Sequence, residues 1–183
     1  MAGNAPSRKA LIFWPILVGI LVADYVTKRL AVASLSPPGT PHRVWGNAVR
    51  LTLAYNHGAA MGLPLGSHDA QVLGVLALVV VVVLFGWYRR VEAHEILLPI
   101  TLGLLVAGAL GNAWQRILSS RGVVDFIDLG AGRVRFWAFN VADAALTVGV
   151  VLLVIHFWRD DGLTEEELAL RGEEAGGQGG EDD

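Results

Sequence analysis

The stretch VVDFIDLGAGRVRFWAFNVADAA, residues 123–145, decides how this chain is organised. It contains Asp125 and Asp143, eighteen positions apart, and Asp143 lies in a largely apolar run that continues to Trp158. A carboxylate in such a run is costly unless it is paired, protonated or used in chemistry. We therefore expect the rest of the chain to bring these two aspartates together at a membrane surface.

Composition indicates a membrane protein. Of the 183 residues, 54% are hydrophobic and 17% are charged, whereas soluble domains carry roughly 25% charged residues. Ten of the 17 acids follow residue 159, so the first 159 residues are basic, with 13 Lys and Arg against seven acids. The absence of cysteine excludes disulfides, thiolate metal sites and cysteine nucleophiles.

Four apolar runs predict an α-helical integral membrane protein with four transmembrane helices. The first run has fourteen residues, which rise about 21 Å as a helix, whereas a hydrocarbon core is about 30 Å thick. This helix must therefore continue through Asp24, and Lys28, four residues later, lies on the same face. In the third run, Gly103, Gly108 and Gly111 would let helices approach closely. The runs are residues 10–23, 70–88, 96–115 and 136–158.

The segments between the runs predict little regular structure. Residues 44–55 alternate in part between apolar and polar side chains and predict a strand, whereas residues 119–135 are expected to form a polar loop. We expect a membrane domain over 1–159, with loops 30–69 and 117–135 on one side. The acidic tail, 160–183, is expected to be disordered, apart from one short helix for which Thr164 and Glu167 fit a capping box.

Four spans put both termini on one side, and we name the opposite side the outer end. Asp24, Asn112 and Asp143 lie fourteen to sixteen residues from the inner limits of their spans, or about 21–24 Å by helix rise. Three polar side chains are thus expected at one level near the outer end, with Asp125 and Asn56 in the loops above. Such convergence is what a functional site requires.

Paired carboxylates favour an aspartyl protease dyad, because two neighbouring acids share a proton and one can activate water while the other polarises a carbonyl. The alternative is that Asp143 caps a helix or pairs with Arg116 while Asp125 is a loop carboxylate. Asp24 and Lys28 are more often a structural ion pair than a catalytic one. The asparagines either satisfy backbone groups at helix ends or hold a substrate backbone; they are Asn56, Asn112 and Asn140.

Two other classes of function stay open at this point. A small membrane transporter or proton-relay subunit could use Asp24 and Asp143, and a non-catalytic scaffold would need neither. The sequence His94-Glu95-Ile-Leu-Leu lacks the second histidine of a zinc protease motif, and we expect no metal or cofactor. Basic residues at the outer end suit lipid headgroups rather than nucleic acid. They number eight, against six on the side of the termini, so charge does not orient the protein.

Five motifs in order resemble the lipoprotein signal peptidases, or signal peptidase II family. They are DYVTK (24–28), NHGAAMG (56–62), GALGN (108–112) followed by Arg116, VVDF (123–126) and FNVAD (139–143). Each is weak alone, but together they cover residues 10–158 and are specific. One position departs from the family pattern, since Gln115 stands where the family usually has Asp.

The resemblance implies an aspartic endopeptidase of the bacterial inner membrane with cytoplasmic termini. It implies removal of signal peptides from prolipoproteins, just before a cysteine that carries diacylglycerol, and a small extracytoplasmic β-sheet around residues 44–55 that holds the substrate. Asp125 and Asp143 match the catalytic pair. We expect a monomer whose partners are the lipid-modified substrate and membrane lipid. The positions matching substrate-binding or supporting residues are Asp24, Lys28, Asn56, Gly58, Asn112, Arg116 and Asn140.

Overall fold

The computed structural model describes residues 6–58, 68–131 and 134–177, with side chains described as far as residue 159. Four helices are long and apolar enough to cross a membrane, as the four apolar runs predict. The chain is therefore a multi-pass membrane protein. The helices are α1 (Arg8–Ser34), α2 (Asp69–Arg90), α3 (Leu97–Leu118) and α4 (Val141–Gly177), of which Val141–Arg159 is the span.

Helix α3 is the centre of the bundle and packs against α1, α2 and α4. In its span 72% of residues are buried, against 17%, 6% and 17% in the other three. Small residues make this possible: a Cβ on Gly108 would lie 2.5 Å from the Ala142 carbonyl oxygen of α4, and one on Gly103 would lie 3.1 Å from Ile16 of α1. The predicted close approach at these glycines is confirmed. Most of the apolar surface exposed on the spans belongs to the other three helices.

A four-stranded antiparallel sheet lies at the outer end, in the order β1-β2-β3-β4. The pairing of β2 with β3 places Ala54 opposite Asp125 and Asn56 opposite Val123. Leu53, Val124 and Phe126 pack with the end of α1 in a small core, so the sheet is fixed to the helical bundle. The strands are β1 (Pro41–Trp45), β2 (Val49–Asn56), β3 (Val123–Ala131) and β4 (Val134–Arg135).

The structure corrects three expectations about the connecting segments. Residues 44–55 form parts of a hairpin, β1 and β2, rather than one strand, because the chain turns at Gly46 with a φ of +53°. The segment expected as a polar loop contains β3 and β4. Its aspartates obscured the strand pattern, and Val123–Phe126 is buried on both faces. The fourth helix begins at Val141, since residues 136–140 are not helical and Phe139 pairs with Ile127 of β3.

The acidic tail also differs from expectation where it is described. Helix α4 continues without a break to Gly177. Residues 160–177 are therefore helical, and they extend α4 instead of forming a separate capped helix. Eleven of the 18 residues from 160 to 177 are Glu, Leu, Ala or Arg, and these residue types have high helix propensity. Residues 178–183 lie outside the described part of the chain.

Candidate active site

Asp125 is the third residue of β3 and is 3% exposed. The Asn140 side-chain amide donates to its Oδ1 at 2.6 Å, and the Asn56 side chain also hydrogen-bonds to it. Burial and the nearby Asp143 charge raise the pKa of this carboxyl from 3.8 to about 6, against the opposing effect of the two asparagines. Asp125 therefore keeps its proton to a higher pH than an exposed aspartate does.

Asp143 occupies the first turn of α4 and accepts hydrogen bonds from two N–H groups. Asn112 Nδ2 donates to its Oδ1 at 2.8 Å, and the Asn140 backbone N–H donates to its Oδ2 at 3.1 Å. The N-terminus of a helix favours negative charge. Asp143 therefore lies at a helix start, whereas Asp125 is buried within a strand.

Asn140 joins the two aspartates and is fully buried. Its Nδ2 faces Asp125 Oδ1, Asn112 Oδ1 at 3.1 Å and the Val124 carbonyl oxygen at 3.3 Å. Its Oδ1 accepts the Asp143 backbone N–H at 3.0 Å. Of the two roles considered for this asparagine, these contacts match the satisfaction of backbone groups at a helix end, and the same amide also holds a site carboxylate. A contact with the substrate backbone stays a prediction.

A buried ion pair supports the site from below. Lys28 Nζ lies 2.7 Å from Asp24 Oδ2 and donates to Asn112 Oδ1 at 2.8 Å. Asp24 Oδ1 accepts the backbone N–H of Ala142 at 2.9 Å, in the first turn of α4. The expected common level of Asp24, Asn112 and Asp143 is confirmed by these contacts. The pair fixes the orientation of the Asn112 amide and the start of α4 together.

Both aspartates line a cavity of about 950 Å³ between the β3–β4 hairpin and the start of α4. Its polar groups beside the pair include Asn56. Most of the remaining wall is apolar or aromatic, and Phe136 and Trp137 are 62% and 71% exposed. Such a cavity can take an apolar ligand with one polar segment held at the carboxylates. The apolar wall includes Leu129, Val134, Phe136, Trp137, Phe139 and Val148.

Asn56 and Gly58 form one turn at the end of β2. The Gly58 backbone N–H donates to Asn56 Oδ1 at 3.0 Å. Gly58 has a φ of +100°, and a Cβ there would lie 3.1 Å from the Ala70 backbone, so glycine is required. Gly58 thus positions Asn56, whose side chain reaches Asp125. The rest of the second motif, residues 59–62, lies outside the described residues.

Arg116 is not joined to either aspartate by a hydrogen bond or ion pair among the described residues. It lies on the α2 side of α3, since a Cβ added to Gly74 of α2 would be 3.2 Å from the Arg116 Cβ. Its neighbour Gln115, at the position that departs from the family pattern, accepts the Val124 backbone N–H through Oε1 at 3.3 Å. A neutral acceptor at residue 115 therefore ties α3 to β3.

Two features of the site were not predicted from the sequence. The Ala142 backbone N–H donates a hydrogen bond to Asp24. Every residue type except proline has this group, so the sequence does not indicate where it is used. The apolar wall at residues 136–139 was assigned to the fourth span instead of to the cavity. The FWAF sequence ahead of Asn140 contains three aromatic residues in four, and this is the signal that could have indicated a binding wall.

The chain is similar to known proteins both in sequence and in structure. A sequence profile described as Signal peptidase (SPase) II matches residues 16–159. A lipoprotein signal peptidase of Ectopseudomonas mendocina is 38% identical over 164 residues, covering 87% of this chain and 96% of that protein. One of Staphylococcus haemolyticus is 34% identical over 145 residues, covering 79% and 89%. A solved bacterial membrane enzyme superposes with a TM-score of 0.71 at 30% identity, covering 84% and 88%.

Proposed function

The chain belongs to the signal peptidase II family of membrane proteases, and we propose that Asp125 and Asp143 are the catalytic pair with which it processes prolipoproteins. The observation that carries the assignment is that both carboxylates line one cavity and hydrogen-bond to the same residue, Asn140. Their surroundings differ as an acid–base pair requires, since one carboxyl is buried in a strand and the other lies at a helix start.

In this mechanism a water molecule attacks the scissile carbonyl carbon while Asp143 takes its proton. Protonated Asp125 donates a hydrogen bond and then its proton to the carbonyl oxygen, which gives a neutral tetrahedral diol. The proton on Asp143 then passes to the leaving nitrogen as the C–N bond breaks, and Asp125 recovers its proton from the collapsing hydroxyl. No covalent intermediate with the enzyme forms, and each carboxyl returns to its starting state.

The substrate proposed is a prolipoprotein whose cysteine carries a diacylglyceryl group, cut on the N-terminal side of that cysteine. The cavity supports this, because its polar segment can hold a peptide while the aromatic and aliphatic wall can hold acyl chains. Asn56 and Asn112 lie beside the carboxylates, and the former lines the cavity where a substrate backbone would lie.

We place the protein in the bacterial cytoplasmic membrane as a monomer, with the sheet and the catalytic pair near the outer leaflet and the tail in the cytoplasm. Its relatives are named lipoprotein signal peptidases, which supports a location where prolipoproteins are processed. The alternative of a proton relay lacks support, since in the described spans the acids between their end residues are Asp24 and Asp143, both near the outer end. A relay needs titratable groups across the bilayer.

The test is cleavage of a purified, diacylglyceryl-modified prolipoprotein by the enzyme in detergent micelles. Asp125→Asn and Asp143→Asn should each lower kcat at least about 1,000-fold, by analogy with the loss caused by removing one member of a catalytic unit. Glu92→Gln is the control, because Glu92 is 73% exposed and remote from the cavity. Activity within about tenfold of wild type in either site variant would overturn the assignment. The substrate without its lipid should be cut poorly, and equal cleavage would overturn the substrate proposal alone.

A further inference from the structure

A second cavity of about 400 Å³ lies at the outer end between α1, α3 and the sheet, and we name it the outer cleft. In the part of the chain that the structure describes, it shares no lining residue with the cavity of the aspartates. Strand alternation explains the separation: Tyr55 and Val124 line the outer cleft, whereas their chain neighbours Asn56 and Asp125 line the active-site cavity. The two cavities therefore open on opposite faces of the sheet.

The outer cleft is cationic. Arg29 and Arg121 line it, both exposed, and no acidic side chain among the described residues does. Within the described part of the chain, neither arginine forms an ion pair with an acid. The charge of Lys28, on the inner wall, is matched by Asp24 at 2.7 Å. Two positive charges thus face the cleft without a protein partner to neutralise them.

Two hydroxyl groups lie beside these charges where α3 ends. Ser119 and Ser120 both line the outer cleft. Ser119 Oγ accepts the Arg121 backbone N–H at 3.2 Å, which folds the turn so that Arg121 faces the same cavity. Guanidinium groups with neighbouring hydroxyls are the groups with which proteins bind phosphate oxygens.

The lower part of the outer cleft is aromatic. Tyr25 and Trp114 face each other from α1 and α3 with ring centroids 6.3 Å apart, and they are 52% and 42% exposed. Arg29 lies 21 residues after Arg8, a rise of about 32 Å, which matches the hydrocarbon thickness of about 30 Å. The arginines are therefore at headgroup level and the rings just below, where aromatic residues border acyl chains.

We propose that the outer cleft binds one anionic glycerophospholipid, with its phosphate between Arg29 and Arg121 and the upper part of its acyl chains against Tyr25 and Trp114. The ligand class follows from charge complementarity above and apolar aromatic surface below. Lys28 and Gln115 form the inner wall and also contact Asn112 and β3. A bound lipid would thus brace α1 against α3 directly behind the site. This inference does not depend on the catalytic assignment.

The test measures bound lipid by native mass spectrometry of the full-length protein in detergent, with phosphatidylglycerol as the probe and diacylglycerol as its counterpart without phosphate. The wild-type protein should hold phosphatidylglycerol at least about tenfold more strongly than diacylglycerol. Arg29→Gln with Arg121→Gln should remove most of that preference. The matched control is Arg43→Gln with Arg89→Gln, which deletes two exposed charges that do not line the outer cleft, and it should retain the preference.

Folding of the double variant is checked by its melting temperature in lipid-free detergent, with Arg29→Lys and Arg121→Lys as a second variant pair that keeps the charge. Equal binding of the two lipids, or unchanged phosphatidylglycerol binding in the double Gln variant, would overturn the proposal. Displacement of the lipid by inorganic phosphate alone would overturn it in favour of a free-anion site. Displacement by an acyl-free acidic peptide would overturn it in favour of a peptide site.

Discussion

Asn140 and Asp143 cap each other at the start of α4. The Asn140 backbone N–H donates to Asp143 Oδ2 at 3.1 Å, and the Asp143 backbone N–H donates to Asn140 Oδ1 at 3.0 Å. This reciprocal arrangement is a capping box with an acid in its third helical position. The carboxylate proposed to activate water is therefore part of the helix terminus itself, and its position is fixed before any substrate arrives.

Substitutions of Asn140 can separate capping from catalysis. Asn140→Ser keeps a capping oxygen but loses the amide that donates to Asp125 at 2.6 Å. We expect kcat to fall roughly 10–100-fold, since a hydrogen bond to a charged group contributes about 1.5–3 kcal/mol, and we expect stability to fall through the lost donor alone. Asn140→Ala loses both and should also be destabilised by about 1 kcal/mol. Detergent melting curves and cleavage rates measure the two effects. Equal stability of the Ser and Ala variants would contradict the capping role.

The buried pair Asp24–Lys28 should show strong coupling. Asp24→Asn or Lys28→Met leaves one buried charge unpaired, which costs about 3–5 kcal/mol, whereas the double variant removes both charges and should recover much of that loss. Melting temperatures of the four proteins form the double-mutant cycle. The double variant should still have a lowered kcat, because Asn112 then loses the Lys28 donor that orients its amide toward Asp143. Additive losses of stability would refute the coupling.

Close packing of α3 against α4 predicts that Gly108 tolerates no side chain. A Cβ there would lie 2.5 Å from the Ala142 backbone oxygen, so Gly108→Ala should destabilise the protein by about 1–3 kcal/mol, as overpacking does, and should lower kcat by moving Asp143. Gly19→Ala is the matched control in α1, where a Cβ would have nothing within 4 Å. That change should be neutral or stabilising by up to about 1 kcal/mol through helix propensity. Similar melting temperatures in the two variants would contradict the packing argument.

Asp125 should make stability depend on pH. The pKa of its carboxyl is raised from 3.8 to about 6 by burial and the Asp143 charge. The folded state thus holds the proton more tightly, and the resulting stability is complete below about pH 4 and is lost as pH rises to about 6. Asp125→Asn should therefore exceed wild type in stability above pH 6, by up to about 3 kcal/mol, with the difference narrowing toward pH 4.

Melting temperatures between about pH 4 and pH 8 measure this effect. Glu92→Gln serves as the control, because this exposed side chain should give a difference that stays small throughout the range. A difference between Asp125→Asn and wild type that does not vary with pH would show that the native carboxyl is not perturbed as described.

Much of the helical framework could be predicted from residue order. The apolar runs located all four helices, and helix rise placed Asp24, Asn112 and Asp143 at one level, which the contacts through Lys28 confirm. The prediction for the sheet was partly right: it included a strand at residues 44–55 but not β3 or β4. In β3 the polar side chains Asp125 and Asp128 interrupt the apolar pattern, and a strand buried on both faces loses the alternation by which strands are recognised.

The resemblance to a known family located more of the site residues than the sequence pattern did. The structure gives these residues different positions and contacts. Asn140 and Lys28 proved to be hydrogen-bond hubs, whereas Arg116 lies on the α2 side of α3. Rotation of a helix about its axis decides which of two neighbouring side chains enters a site. That rotation follows from packing at Gly103, Gly108 and Gly111, which spacing alone does not specify.

Residue order alone specified the number of spans, their alternation across the membrane and the depth of each polar group, because a helix rises by a constant amount per residue and a bilayer has a nearly constant thickness. The meeting of Asp125 and Asp143 depends instead on tertiary contacts. The first comes from a strand whose register with β2 is set by long-range pairing, and the second from a helix whose start is held by Asp24 of another helix. Those contacts join residues far apart in the chain, and no local pattern encodes them.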